Sequence, residues 1–171
     1  MSYRPLTDVW ILARPKVKYY GAYPSGFLSR ARVLLGVSIA DPVLHVCSGA
    51  LRDYPFKGLG PADRMVDGNA LLGPDYTLDV TIDPLPSGFK AHLADPPYTP
   101  QDALKYGDLP FPSASLLLQA MLDALPVGGR AGMLHYEWPA VPKSAREVAV
   151  VGVFTGRRQR ARVYTVVERI K

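Results

Sequence analysis

Phe89-Lys90-Ala91-His92-Leu93-Ala94-Asp95-Pro96-Pro97-Tyr98 is a short, mostly apolar run that ends on an acid, two prolines and an aromatic ring. A run of this length bounded by turn residues reads as a buried strand, here 89–94. The tetrapeptide after it is a rigid exit. Each proline fixes its own φ and lacks an N–H, so the backbone offers carbonyl acceptors and few donors. Pro97 also biases Pro96 toward an extended conformation. Asp and Pro suit an ordinary turn as well. The chemistry open to these four residues therefore depends on the groups that other strands deliver beside them.

Upstream, Val43-Leu44-His45-Val46-Cys47 reads as a buried strand running into Ser48-Gly49, where a glycine lets the backbone approach a ligand closely. Arg64-Met65-Val66-Asp67 is a short strand ending on an acid, and Leu78-Asp79-Val80-Thr81 is read as another. Ser25 is expected to cap a helix through Leu35, with Phe27, Leu28, Ala31, Leu34 and Leu35 on one face and Gly36 at its end. Residues 50–64 contain Pro55, Gly58, Gly60 and Pro61 and read as loop. Ser113 to Leu125 is the best helix of the chain, broken by Gly128-Gly129 and followed by a strand from Arg130 to Tyr136. Val148–Phe154 and Arg162–Glu168 alternate around Thr155-Gly156-Arg157, the pattern of a terminal β-hairpin. Strands alternating with helices imply a mainly parallel sheet, to which the hairpin adds an antiparallel edge.

The Asp95-Pro96-Pro97-Tyr98 motif resembles the signature of S-adenosylmethionine-dependent amino-methyltransferases, the enzymes that modify adenine N6 or cytosine N4 in DNA. The resemblance implies an α/β, Rossmann-like class I methyltransferase with a mainly parallel sheet, a C-terminal antiparallel hairpin and few helices. The chemistry agrees with the residue types. A nucleobase amine delocalises its lone pair into the ring and is a poor nucleophile. Acceptors that hold its two hydrogens favour a pyramidal, more reactive nitrogen. Asp95 offers a carboxylate, Pro96 a carbonyl, Pro97 rigidity, and Tyr98 a face on which a base can stack.

The resemblance also assigns a cofactor site for S-adenosyl-L-methionine. It comprises His45, Cys47, Ser48 and Gly49 at the first strand, Asp67 for the ribose hydroxyls and Asp79 for the adenine amine. Pro24 and Phe27, in the segment before the first strand, are expected against the methionine end; packing of that aromatic segment on the core is an equal reading. Members of the family usually carry an acid where this chain has His45, and two glycines where it has one. Cys47 does not follow a proline in the motif loop, so covalent catalysis by a thiolate is not expected. A small buried side chain is the better reading.

Four arginines fall in six residues at the expected hairpin tip: Arg157, Arg158, Arg160 and Arg162. Their planar forks suit phosphate, so they and Trp138, a candidate stacking partner for a base, are the expected nucleic-acid contacts. A solvated, solubility-promoting turn is the alternative.

Composition sets the bounds. The 171 residues suffice for one domain with a full core, so residues 1–171 are read as one unit with 1–24 as an N-terminal extension packed on it. The chain is 48% hydrophobic, which excludes a disordered polymer, and its formal charge of +5 suits an anionic partner. Cys47 is the only cysteine, and with it the three histidines make no metal-binding spacing. No apolar run reaches membrane-span length, and a cytoplasmic location without membrane attachment is expected. The segment from Gly49 to Asp95 is too short to hold a target-recognition domain. Sequence specificity would then be low, or come from a partner or second subunit. Methylation of guanine N2 in RNA is one alternative function. A non-catalytic subunit that binds nucleic acid or a partner is another.

Overall fold

Two strands with no exposed face organise the molecule. In the computed structural model, which describes residues 3–14, 22–53, 57–106, 110–156 and 160–171, β2 (Val43–Val46) and β5 (Ala91–Ala94) are buried at every position. Continuous burial is the mark of central parallel strands covered on both faces. Around them the order of elements is β1 (Leu6–Ile11), α1 (Phe27–Leu35), β2, β3 (Arg64–Asp67), β4 (Tyr76–Thr77), β5, α2 (Pro100–Ala103), α3 (Ala114–Asp123), β6 (Arg130–His135), β7 (Ala145–Phe154) and β8 (Arg162–Arg169).

These strands form one eight-stranded sheet in the order β1-β7-β8-β6-β5-β2-β3-β4. Strands β6, β5, β2, β3 and β4 run parallel, and β8 enters antiparallel between β6 and β7. The sheet therefore has the expected mainly parallel body and antiparallel hairpin.

Period-2 alternation sorts the side chains between two layers. Ala91, Leu93 and Leu134 face the α1 side with Phe27, Leu28, Ala31 and Leu35, while Ala94, Ala131 and Met133 face the α3 side with Leu117, Leu118, Met121 and Leu122. Gly132 is required on the α1 side, because a Cβ there would stand 2.5 Å from the Tyr164 hydroxyl. Large apolar groups on both helices each contribute on the order of 1.5–3 kcal/mol by leaving water.

Several local expectations change. Helix α1 starts on Gly26, at φ 79°, and not on a Ser25 cap; Ser25 is exposed. Gly36 ends the helix as expected, at φ 70°. Ser113 precedes α3, but its side chain makes no capping hydrogen bond. Residues 78–81 are not a strand. The Asp79 carboxylate accepts from Thr81 N and Thr81 Oγ1, a local turn that competes with ladder pairing, and Tyr76–Thr77 pairs with β3 instead. The N-terminal segment contributes a strand: β1 pairs in parallel with β7 and buries Trp10 against Phe27 and Tyr164.

Among its described residues the loop between β2 and β3 holds a short 3-10 turn, Leu51–Asp53, and it is tied down by a buried ionic hub. Arg32 of α1 reaches Asp63 through Nη2 at 2.5 and 2.6 Å, and donates through Nε to the Gly58 carbonyl at 2.7 Å and through Nη1 to the Ser38 carbonyl at 2.7 Å. Asp63 also accepts from Val43 N, Gly60 N and His45 Nε2. Gly60 has no room for a side chain, since a Cβ would come 2.5 Å from the Ile39 carbonyl oxygen.

Candidate cofactor and acceptor site

The parallel register aligns the carboxyl ends of three strands. Val46 stands opposite both Val66 and Ala94, so the next residues along, Cys47, Asp67 and Asp95, emerge side by side. This is where open α/β sheets bind ligands. Cys47 turns the chain sharply, with φ 55°, and Gly49 has φ 55° as well. The turn is held from the next strand: Gly49 N donates to Asp67 Oδ2 at 2.8 Å, Asn69 N donates to Asp67 Oδ1 at 2.9 Å, and Ser48 N donates to the Val66 carbonyl at 3.0 Å. A carboxylate has about four lone-pair sites, so Asp67 keeps acceptor capacity toward the cleft.

A cleft of about 740 Å³, counting its open mouth, lies over these strand ends. Cys47, Ser48, Gly49, Asp67, Asp79, Asp95 and Pro97 all line it, joined by Leu72, Leu78, Val80 and Tyr106. Its size and its mixture of apolar walls with a few carboxylates suit a nucleoside-sized ligand. Asp79 reaches it from a turn beyond β4, not from a strand end. Burial and the charges of Asp67 and Asp95 push the Cys47 thiol far up, so it stays protonated and is no nucleophile.

Asp95 closes one end of the cleft. Its Oδ1 accepts from the Tyr98 hydroxyl, while its Oδ2 is buried without a hydrogen-bond partner among the described residues. Burial pushes its pKa up to about 6, against the opposing pull of Arg162 and the Tyr98 hydrogen bond. Tyr98 stacks at a tilt on Tyr136, with ring centroids 4.4 Å apart, and meets His135 edge-on at 5.3 Å. Burial lowers the His135 pKa, opposed by Glu137 and the Pro97 carbonyl, so the ring is neutral at physiological pH. Thr99 then caps α2 by accepting from Asp102 N, and Pro100 takes the first helical turn. Pro96 is buried.

Four expected site residues belong elsewhere. His45 does not line the cleft; it is buried and bonded to Asp63 at 3.0 Å, part of the hub under α1. Phe27 is fully buried among Tyr23, Trp10 and Tyr164, so it packs the core and has no face for a ligand. Pro24 is likewise buried and outside the cleft lining. Trp138 is 59% exposed, and its indole N–H donates to Glu147 on β7 at 2.7 Å, not toward Tyr98.

Arg162 is not at a solvated tip. It is half-buried at the first position of β8, with Nη1 3.4 Å from the Tyr98 hydroxyl. Arg160 lies over the Tyr136 ring at 5.6 Å. Arg157 and Arg158 lie outside the described residues. Sequence reasoning assigns no role to Tyr136 or Tyr106, and both stand at the site. The Thr99-Pro100-Gln101-Asp102 run, a helix start, is the available signal for the wall that Tyr106 completes.

No protein-family model matches the chain, and no curated protein matches it in sequence. Solved structures do. The chain is similar to TrmN from Thermus thermophilus, at 18% identity over 86% of this chain with a TM-score of 0.59, and it spans about half of that protein, 49%. It is similar to the putative methyltransferase yhhF from Escherichia coli, at 10% identity over 93% of this chain and 91% of the other, with a TM-score of 0.56. An rRNA methylase from Streptococcus thermophilus matches at 13% identity over 84% of this chain and 95% of the other, with a TM-score of 0.50. With its parallel strands delivering Asp67 and Asp95 to one cleft and its closing antiparallel hairpin, the chain has the Rossmann-like fold of class I methyltransferases.

Proposed function

We propose that the chain is an S-adenosylmethionine-dependent methyltransferase that acts on an exocyclic amino group of a nucleobase, adenine N6 or cytosine N4 in DNA. One observation carries the reading: a buried Asp95 oxygen with no hydrogen-bond partner among the described residues, on the motif loop, at the end of a cleft that also holds Asp67 and Asp79. An unpaired buried acceptor costs free energy unless a donor arrives, and an amine N–H is such a donor.

The residues fit the cofactor. Asp67 and Asp79 are acceptors for the nucleoside half, and the single turn Cys47-Ser48-Gly49 leaves backbone close to the cleft. S-adenosylmethionine would supply an electrophilic methyl group there. Asp95 would hold one amine hydrogen through Oδ2 and orient the nitrogen. The Tyr98–Tyr136 pair would bound the base, and Arg160 would meet phosphate beside it. A duplex substrate would require base flipping, and specificity beyond the base would come from a partner or second subunit.

RNA is the second reading, with guanine N2 as the acceptor. The structural likeness to an rRNA methylase favours it. Calorimetry with S-adenosylmethionine tests the cofactor site, and transfer of a labelled methyl group to DNA, RNA and protein pools tests the acceptor. Saturable binding with label in DNA is expected. Label in RNA alone selects the second reading, and absence of binding overturns both.

A further inference from the structure

The hairpin strand β8 opens with a charged group turned inward. Arg162 pairs with Val153 across the hairpin, yet its guanidinium lies beside the motif loop, 3.4 Å from the Tyr98 hydroxyl. That hydroxyl donates to Asp95 Oδ1. The three side chains make one line, Arg162 to Tyr98 to Asp95, leaving Oδ2 as the enclosed acceptor of the carboxylate without a partner among the described residues. No ion pair joins Arg162 to a carboxylate among the described residues, so its charge acts on Asp95 through space and through the tyrosine.

We propose that Arg162 is a positioning residue, which keeps the Asp95 carboxylate ionised and its second oxygen turned to the acceptor. The catalytic half of this inference rests on the reading of function given above. Groups on every neighbouring element bear on it. Cys47 and Asp67 stand at the ends of β2 and β3; the thiol is neutral, and Asp67 adds negative charge. At the end of β6, burial lowers the His135 pKa, and Tyr136, the next residue, faces both Tyr98 and Arg160. Among the described residues Arg162 is thus the cation that opposes burial at Asp95, and Tyr98 is the hydrogen bond that transmits its orientation. A positive charge within a few ångströms of a carboxyl lowers its pKa by about 1–3 units, so loss of Arg162 should move Asp95 upward by about one unit or more.

The test uses full-length protein with carbon-13-labelled aspartate, the Asp95 signal being assigned by its absence in Asp95→Asn. Parent, Arg162→Gln, Arg162→Lys and Tyr98→Phe are titrated by NMR without substrate. Arg162→Gln and Tyr98→Phe should both raise the Asp95 midpoint, and Arg162→Lys should restore part of the parental value. Methyl transfer by Arg162→Gln should fall about tenfold near pH 5 and recover to within about twofold near pH 9, the pattern of a displaced titration. An unmoved midpoint overturns the proposal. So does a moved midpoint with an equal loss of transfer at every pH, which would make Arg162 a substrate contact. If the parent transfers no methyl group to any nucleic acid, the functional reading fails and takes the catalytic half of the proposal with it; the NMR midpoints still judge the charge coupling separately.

Discussion

Asp63 and Asp95 are both enclosed carboxylates, and they are treated in opposite ways. Asp63 receives Arg32 Nη2 on both of its oxygens, two backbone N–H groups and the His45 ring. Burial pushes its pKa up, but the bonds from His45 and Arg32 outweigh it and hold the carboxyl below its usual range. Asp95 receives one hydroxyl, keeps one oxygen without a partner among the described residues, and has its pKa pushed up to about 6. The first arrangement ties α1, the loop around Gly60 and β2 into one body. The second leaves binding capacity in a cleft. A saturated buried acid is structural; an unsaturated one at strand ends marks the place where a ligand completes the bonding.

The two also tilt stability with pH in opposite directions. Asp63, with a lowered folded pKa, contributes stability present above the unfolded carboxyl value and lost as pH falls through the folded one. Asp95, with a raised folded pKa, favours the folded state most below the unfolded value, and that contribution is lost as pH rises from about 4 to about 6.

Removing a partner from the saturated site should have the largest effect. Asp63→Ala strands the Arg32 guanidinium in the interior and should cost about 3–5 kcal/mol, read by urea unfolding at neutral pH. A loss below about 1 kcal/mol would mean that the hub is not what holds the loop. In the cleft, Asp79→Ala should weaken S-adenosylmethionine binding by about 1.5–3 kcal/mol in calorimetry, with little change in unfolding midpoint. Asp67→Ala should do both, because it also strips Gly49 N and Asn69 N of their acceptor. Parental binding by both variants would refute the cofactor map.

The opposite sign is expected at Asp95. Asp95→Asn removes a charge that is costly to bury and should stabilise the protein by on the order of 2 kcal/mol at pH 8, a gain that shrinks toward zero below about pH 4. Destabilisation at pH 8 would move Asp95 into the structural class. At the small end, Trp138→Ala breaks only an exposed contact to Glu147 and should change stability by less than about 0.5 kcal/mol, with transfer unaltered. A large loss of transfer would restore Trp138 as a base contact.

Legibility in the sequence depends on how far apart the interacting residues lie. The apolar cores of β2 and β5, the acid ending β3 and the motif after β5 are local patterns, and they are readable. The hub is not: His45 meets Asp63 across 18 positions and Arg32 meets it across 31, and no periodicity joins them. The departure of His45 from the family pattern therefore reads as a weakened cofactor site, when its ring serves Asp63. Strand β1 escapes because its partner β7 lies at the far end of the chain, and only Trp10 among its residues is buried. Asp79 reads as part of a strand because Leu78 and Val80 flank it in alternation, whereas its side chain folds onto Thr81. The arginine run is legible as charge, but not the inward turn of Arg162, which depends on where β8 starts relative to the motif loop.

Asp95 as the acceptor of an amine hydrogen is the claim on which the functional reading turns. The deciding measurement is labelled methyl transfer by parent and Asp95→Ala, each first shown by calorimetry to bind S-adenosylmethionine. The parent should label nucleic acid with a rate that rises through about pH 6, as the carboxyl ionises. Asp95→Ala, which removes the acceptor altogether, should bind the cofactor within a few-fold of the parent and transfer at least about a hundredfold more slowly at every pH. A folded, cofactor-binding Asp95→Ala protein that labels nucleic acid at the parental rate would contradict it.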